Sequence, residues 1–130
     1  MSSAITYRTC PRSGLQFEAN AEKLIFANAF VAVVCLLIGG ILAIGVVLTR
    51  WPAIHWLEAD TFYQVLTAHG INMLIFWIIF FEIAVLYFAS SVLLRCRIAT
   101  PKIAWFAFAL MVIGAVVNNY AVYAGESSVM

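Results

Sequence analysis

Thr67-Ala68-His69-Gly70-Ile71-Asn72-Met73-Leu74-Ile75-Phe76-Trp77 sets one ionisable side chain inside a long apolar run, far from either end of the chain. In hydrocarbon such a group is costly and by default marks a function or needs a partner close by. A neutral imidazole avoids most of that cost by ligating a metal while giving its free ring N–H to a carbonyl or carboxylate. The structural alternative is a histidine that only hydrogen-bonds to a neighbouring helix, as polar residues in membrane bundles do. Both readings require that the run is a membrane span, and composition decides that point.

Of the 130 residues, 65% are hydrophobic and 10% are charged, with a mean hydropathy of +1.04. Soluble domains carry roughly 25% charged residues, so the chain reads as an integral membrane protein. The net charge of +1 names no partner, and no basic patch points to nucleic acid. No short apolar core ends in a small-residue cleavage site, because the first apolar run is long enough to span. Cys10, Cys35 and Cys96 are widely spaced and odd in number, which supports neither a disulfide framework nor a CxxC-type metal site.

Outward from His69, the second span runs over residues 62–94 and ends in Arg95-Cys96-Arg97. A loop over 95–102 contains Pro101, and a third span covers 103–124 with Gly125 as its C-terminal cap. Upstream, the connection 50–61 holds Trp51, Trp56 and His55. With Phe62 and Tyr63, the tryptophans suit an interfacial aromatic belt, while Pro52 ends the helix before it. Asp60 or Thr61 can cap the second span. His55 lies among polar residues and reads as solvated or interfacial rather than as a ligand. The first span covers 24–49, roughly 39 Å of helix against a hydrocarbon core of ~30 Å, so it must tilt. On it Ala32, Cys35, Gly39 and Ala43 share one face at helical spacing and let another backbone come close. Asn28, near one end of this span, reads as structural. Residues 1–23 read as a polar, mobile arm, with Asn20 as the helix cap and Glu18, Glu22 and Lys23 in an exposed first turn. Residues 125–130 form a short tail.

Six of the seven basic residues, Arg8, Arg12, Lys23, Arg95, Arg97 and Lys102, flank the N-terminus and the second connection, and only Arg50 lies on the other side. That asymmetry predicts a cytoplasmic N-terminus and an outer C-terminus. His69 then sits about two turns into a helix that starts at the outer surface. The fold class expected is all-α integral membrane, with three transmembrane helices packing as part of a larger bundle.

On ideal helical spacing, Phe62, Leu66, Met73 and Phe76 share the face of His69. This is an apolar, aromatic wall around one nitrogen ligand, and it suits a porphyrin plane as well as it suits packed core or lipid. Gly70, without a side chain, would let a planar cofactor lie close to the backbone. Glu82 is the only acid within a span. It lies about 20 Å along the helix and some 140° around it from His69, so the two cannot share one small site. It reads as a proton relay or as a neutral carboxyl bonded to a partner helix. Asn118, Asn119, Tyr120 and Tyr123 read as interfacial anchors. One histidine does not complete a low-spin haem, which takes two axial ligands. The missing ligand has to come from another helix.

Phe62-Tyr63-Gln64-Val65-Leu66-Thr67-Ala68-His69-Gly70, followed by Met73, Phe76 and Trp77, resembles helix II of subunit I of the haem-copper oxygen reductases (cytochrome c oxidase-like). Gly125-Glu126-Ser127-Ser128-Val129-Met130 is similar to the outer loop after helix III of that subunit. The resemblance covers roughly residues 50–130, with the first span matching mainly by topology. It implies that His69 is an axial ligand of a low-spin haem of type a or b, with Gly70, Met73 and Phe76 lining the cofactor and Arg50 either beside its propionates or snorkelling to the interface. It implies partners as well: the remaining helices of subunit I on another chain, oxidase subunit II, membrane lipid, and cytochrome c, a copper protein or quinol as electron donor. Copper and the high-spin haem would lie only on the partner chain, because the other ligands are absent here. The chain then corresponds to the N-terminal portion of subunit I, as a split subunit or fragment, inactive alone, in the inner (plasma) membrane of a prokaryote. The alternative is a non-catalytic accessory or assembly subunit of a respiratory membrane complex.

Overall fold

Helix α1 is Ala19–Arg50, 32 residues and about 48 Å of α-helix. Helix α2 is a continuous rod over Ala59–Leu93, and α3 is Pro101–Tyr123; all three are long and apolar enough to cross a membrane. They come from a computed structural model that describes residues 7–125, so the tail over 126–130 and the first six residues of the arm lie outside the described residues. The three-span, all-α membrane architecture is as the composition predicts. The rod ends and caps differ. Helix α1 starts at Ala19, five residues before the expected span, so Asn20 lies inside it and Glu18 is its N-cap. Glu58, not Asp60 or Thr61, precedes α2. Pro101 opens α3, where its missing N–H costs nothing because no helical partner exists for it. Gly125, at φ +77°, follows the α3 cap residue Ala124.

The arm is not the unstructured segment its composition suggests. Tyr7–Thr9 (β1) pairs antiparallel with Gln16–Glu18 (β2), Tyr7 opposite Glu18 and Arg8 opposite Phe17. The Cys10 N–H donates to the Leu15 carbonyl and the Gly14 N–H to the Cys10 carbonyl, each at 2.9 Å. Gly14 holds φ +70° in that turn, a conformation that suits glycine. A lone two-stranded hairpin is marginal in water, and here contacts remote in sequence hold it. The Phe17 ring lies 6.4 Å from that of Phe88 on α2. The Arg8 guanidinium pairs with Glu22 at 3.1 Å. The Glu18 carboxylate accepts the Ile98 N–H at 2.8 Å.

Helix α1 buries Ala21, Leu24, Asn28, Ala32, Cys35, Gly39, Gly45 and Thr49. The small residues Ala32, Cys35 and Gly39 thus form the close seam their spacing predicts. The seam continues through Gly45 and Thr49, and Ala43 is only half-buried. In a membrane this close approach replaces the hydrophobic effect as the source of helix attraction. Where all three helices meet, Ala32, Phe80 and Ala115 form the core, with Phe80 edge-on to Phe108 at 6.2 Å.

Buried and half-buried polar side chains are tied back within their own helices. Asn28 bonds the Leu24 carbonyl, Thr49 that of Gly45, Asn72 that of Ala68, Ser91 that of Tyr87 and Asn119 that of Ala115. Each bond satisfies a donor that hydrocarbon would otherwise leave unpaired. Helix α2 carries two π-helical turns, Asn72–Phe76 and Ala89–Leu93. Each inserts one residue beyond α spacing, which turns all that follows by about 100°.

Candidate metal-ligand site on the second helix

His69 lies in the last turn of the α-helical segment Ala59–Ile71, immediately before the first π turn. Its Nδ1 is 2.8 Å from the Gly39 carbonyl oxygen on α1. A carbonyl only accepts, so Nδ1 is the protonated nitrogen and donates this bond. The tautomer leaves the Nε2 lone pair outward, and among the described residues no hydrogen bond reaches Nε2. An imidazole oriented by Nδ1–H to a backbone carbonyl, with Nε2 free, is the usual arrangement of a metal-ligating histidine.

Gly39 makes the contact possible. A Cβ there would fall 2.6 Å from Met73 Cγ, 2.7 Å from Met73 Sδ and 3.4 Å from Asn72 Cβ. Only glycine lets α1 come near enough to α2 for its carbonyl to meet the imidazole. Gly70 is different: a Cβ there would meet nothing within 4 Å. No described residue demands that glycine, and the space beside it is open among the described residues.

Met73 thus packs on Gly39. Phe76, at the end of the π turn, packs against the Ala32–Phe80–Ala115 core. Ideal α spacing placed Phe76 on the face of His69, and the inserted residue breaks that periodicity. The same turn changes the azimuth of Glu82, which is exposed on the surface of the three helices. Arg50 ends α1, its guanidinium 5.8 Å from the centre of the Phe62 ring, which places that charge at the end of α2 from which His69 is reached. His55 is exposed in the connecting loop, at φ +46°.

Two participants escaped the sequence reading. The Gly39 carbonyl is a backbone group, and Gly39 stood out only as part of a small-residue face. Asn72, one turn after His69, donates through Nδ2 to Ala68 and, at 2.6 Å, to Asn119 Oδ1 on α3. Asn119 is therefore a cross-helix clasp, not the interfacial anchor its neighbourhood suggests. Asn72 Oδ1 is buried and without a partner. Among the described residues no group of three or more His, Cys, Asp or Glu comes together to hold a metal, so His69 is a single donor.

Comparison with known proteins places this geometry. A family model described as Cytochrome C and Quinol oxidase polypeptide I matches residues 23–129, through all three helices and His69. Searches of curated proteins and of solved structures gave no match. Three apolar helices packed through small residues, one of them carrying an oriented histidine, together with a family match over most of the chain, place this membrane protein in the cytochrome c and quinol oxidase subunit I family.

Proposed function

We propose that His69 supplies one axial ligand to a low-spin haem, of type a or b, in a respiratory oxidase. The chain then acts as the N-terminal part of a subunit I completed by helices carried elsewhere. The observation that carries the reading is the His69 Nδ1–Gly39 carbonyl bond, which orients the ring and leaves Nε2 with a free lone pair. The donor set fits a haem iron: one neutral imidazole, apolar surroundings and open space beside Gly70. When bound, the haem supplies one-electron redox chemistry. This chain's own residues orient the ligand, through Gly39 and its contact with Met73, and keep the site apolar. In this reading Arg50, whose guanidinium lies near Phe62 at the start of α2, neutralises propionate charge. The second axial ligand, the copper ligands and the high-spin haem ligand come from helices other than these three, with subunit II alongside. Cytochrome c, a copper protein or quinol serves as donor. The basic-residue asymmetry supports a cytoplasmic N-terminus, with His69 in the outer half of the membrane.

The test is replacement of His69 by Ala in the purified complex. Loss of the low-spin haem spectrum is expected, and an unchanged spectrum sinks the proposal. The isolated chain should bind haem poorly; stoichiometric bis-histidine haem in it alone would contradict the reading. A second reading, a non-catalytic accessory or assembly subunit, draws on the same bond, because His69 to Gly39 already satisfies a histidine that merely ties two helices. Under that reading His69→Ala weakens the α1–α2 pairing and leaves every haem signal intact.

A further inference from the structure

A polar cavity of ≈ 400 Å³ lies between the hairpin and the end of α2, lined by Tyr7, Gln16, Ser91 and Arg95 among others. It is independent of His69 and lies at the opposite end of α2. We propose that this cavity holds the phosphate headgroup of an anionic phospholipid, with Arg95 as its counter-charge.

Three observations converge on it. The first is unbalanced charge. Of the acids at this end, Glu22 is paired with Arg8 and Glu18 is buried against the Ile98 amide. Arg12, Lys23, Arg95, Arg97 and Lys102 have no acidic partner among the described residues. Basic groups that cluster where spans end attract anionic lipid.

The second is shape. Leu93 and Leu94, 66% and 71% exposed, immediately precede Arg95 on the membrane side. Apolar side chains below and a guanidinium above match an acyl chain joined to a phosphate, whereas free phosphate would use only the upper half. Arginine also suits phosphate through its planar fork of donors.

The third is the backbone. Arg95 sits at φ +53°, where the chain leaves α2 and the Cys96 N–H closes onto the Ser90 carbonyl at 2.9 Å. Helix ends of this kind normally take glycine, because a side chain in the left-handed region is strained. Keeping an arginine there keeps a basic side chain in the lining of the cavity.

Native mass spectrometry of the full chain in detergent tests the proposal, with phosphatidylglycerol, phosphatidylcholine and glycerol 3-phosphate as probes. Phosphatidylglycerol should be retained over phosphatidylcholine. Arg95→Gln should reduce its binding about five-fold, equivalent to the ~1 kcal/mol that one basic group contributes near an anionic surface. Arg95→Gly removes the charge while favouring the left-handed backbone, so an equal loss there separates headgroup binding from misfolding. Arg97→Gln, outside the cavity, removes surface charge alone and should cost clearly less binding than Arg95→Gln. Equal losses at Arg95 and Arg97 would overturn the cavity in favour of diffuse surface charge. Glycerol 3-phosphate bound as tightly as phosphatidylglycerol would overturn the lipid assignment.

Discussion

Substituting Gly39→Ala probes the tightest glycine contact among the described residues and the bond that orients His69 at once. The new methyl would lie 2.6 Å from Met73 Cγ and 2.7 Å from Sδ, against an ordinary carbon contact of about 3.5–4.0 Å, so roughly 1 Å must be found. Met73 Cγ is near its own backbone and has little room to swing, so either its rotamer changes or α1 and α2 separate. Overpacking of this kind costs about 1–3 kcal/mol. Separation by 1 Å would also stretch the 2.8 Å His69–Gly39 bond past useful length, losing another ~0.5–1.5 kcal/mol. Met73→Ala removes both atoms that the methyl strikes. In the double variant the overpacking disappears, and a double-mutant cycle should return a coupling of about 1–3 kcal/mol. The assay is SDS-titrated unfolding of the full chain in micelles, followed by circular dichroism. Additivity within ~0.5 kcal/mol would mean that Gly39 and Met73 do not touch, and the account of the helix seam would fail. Under the proposed haem-ligand role of His69, Gly39→Ala should also shift the low-spin haem midpoint potential of the assembled complex, because the imidazole loses its hydrogen-bond partner.

Asn72→Ala breaks the clasp to Asn119 and should cost about 0.6 kcal/mol, at most ~1.7, as interhelical hydrogen bonds in membranes do. The same unfolding assay should show the Asn72→Ala/Asn119→Ala pair costing less than the sum of the singles; strict additivity argues against the bond. The Cys10 thiol is held below its ordinary pKa, first by the Ser13 hydroxyl, then by backbone N–H groups of Ser13 and Arg12. A lowered pKa means more thiolate at a given pH, so iodoacetamide should label Cys10 at lower pH than a free thiol. Ser13→Ala should move that profile upward, and an unmoved profile removes Ser13 as the cause. Glu82→Gln tests the proton-relay reading of the exposed carboxyl within α2: turnover and proton uptake should fall in the complex, and intact values end that role.

Composition and pattern were enough for the architecture, because a membrane span is a statement about length and apolarity that any window of the chain carries by itself. They were enough, too, to single out His69, since an ionisable group in hydrocarbon is conspicuous without neighbours. The small face Ala32, Cys35 and Gly39 was legible at helical spacing for the same reason. The hairpin was not legible, because Phe17 and Glu18 are held by Phe88 and Ile98, contacts that no local pattern reveals. Nor were the π turns: Asn72–Phe76 breaks the α spacing between His69 and Phe76, and a single inserted residue leaves no mark in hydrophobic periodicity.

Sequence alone therefore determined that three apolar rods cross a membrane and that one of them carries a histidine in need of a partner. Only tertiary structure decided what that partner is. The Gly39 carbonyl belongs to the backbone, identical at every residue, and it becomes a specific acceptor solely because α1 and α2 meet where neither a Cβ nor any other side chain stands between them.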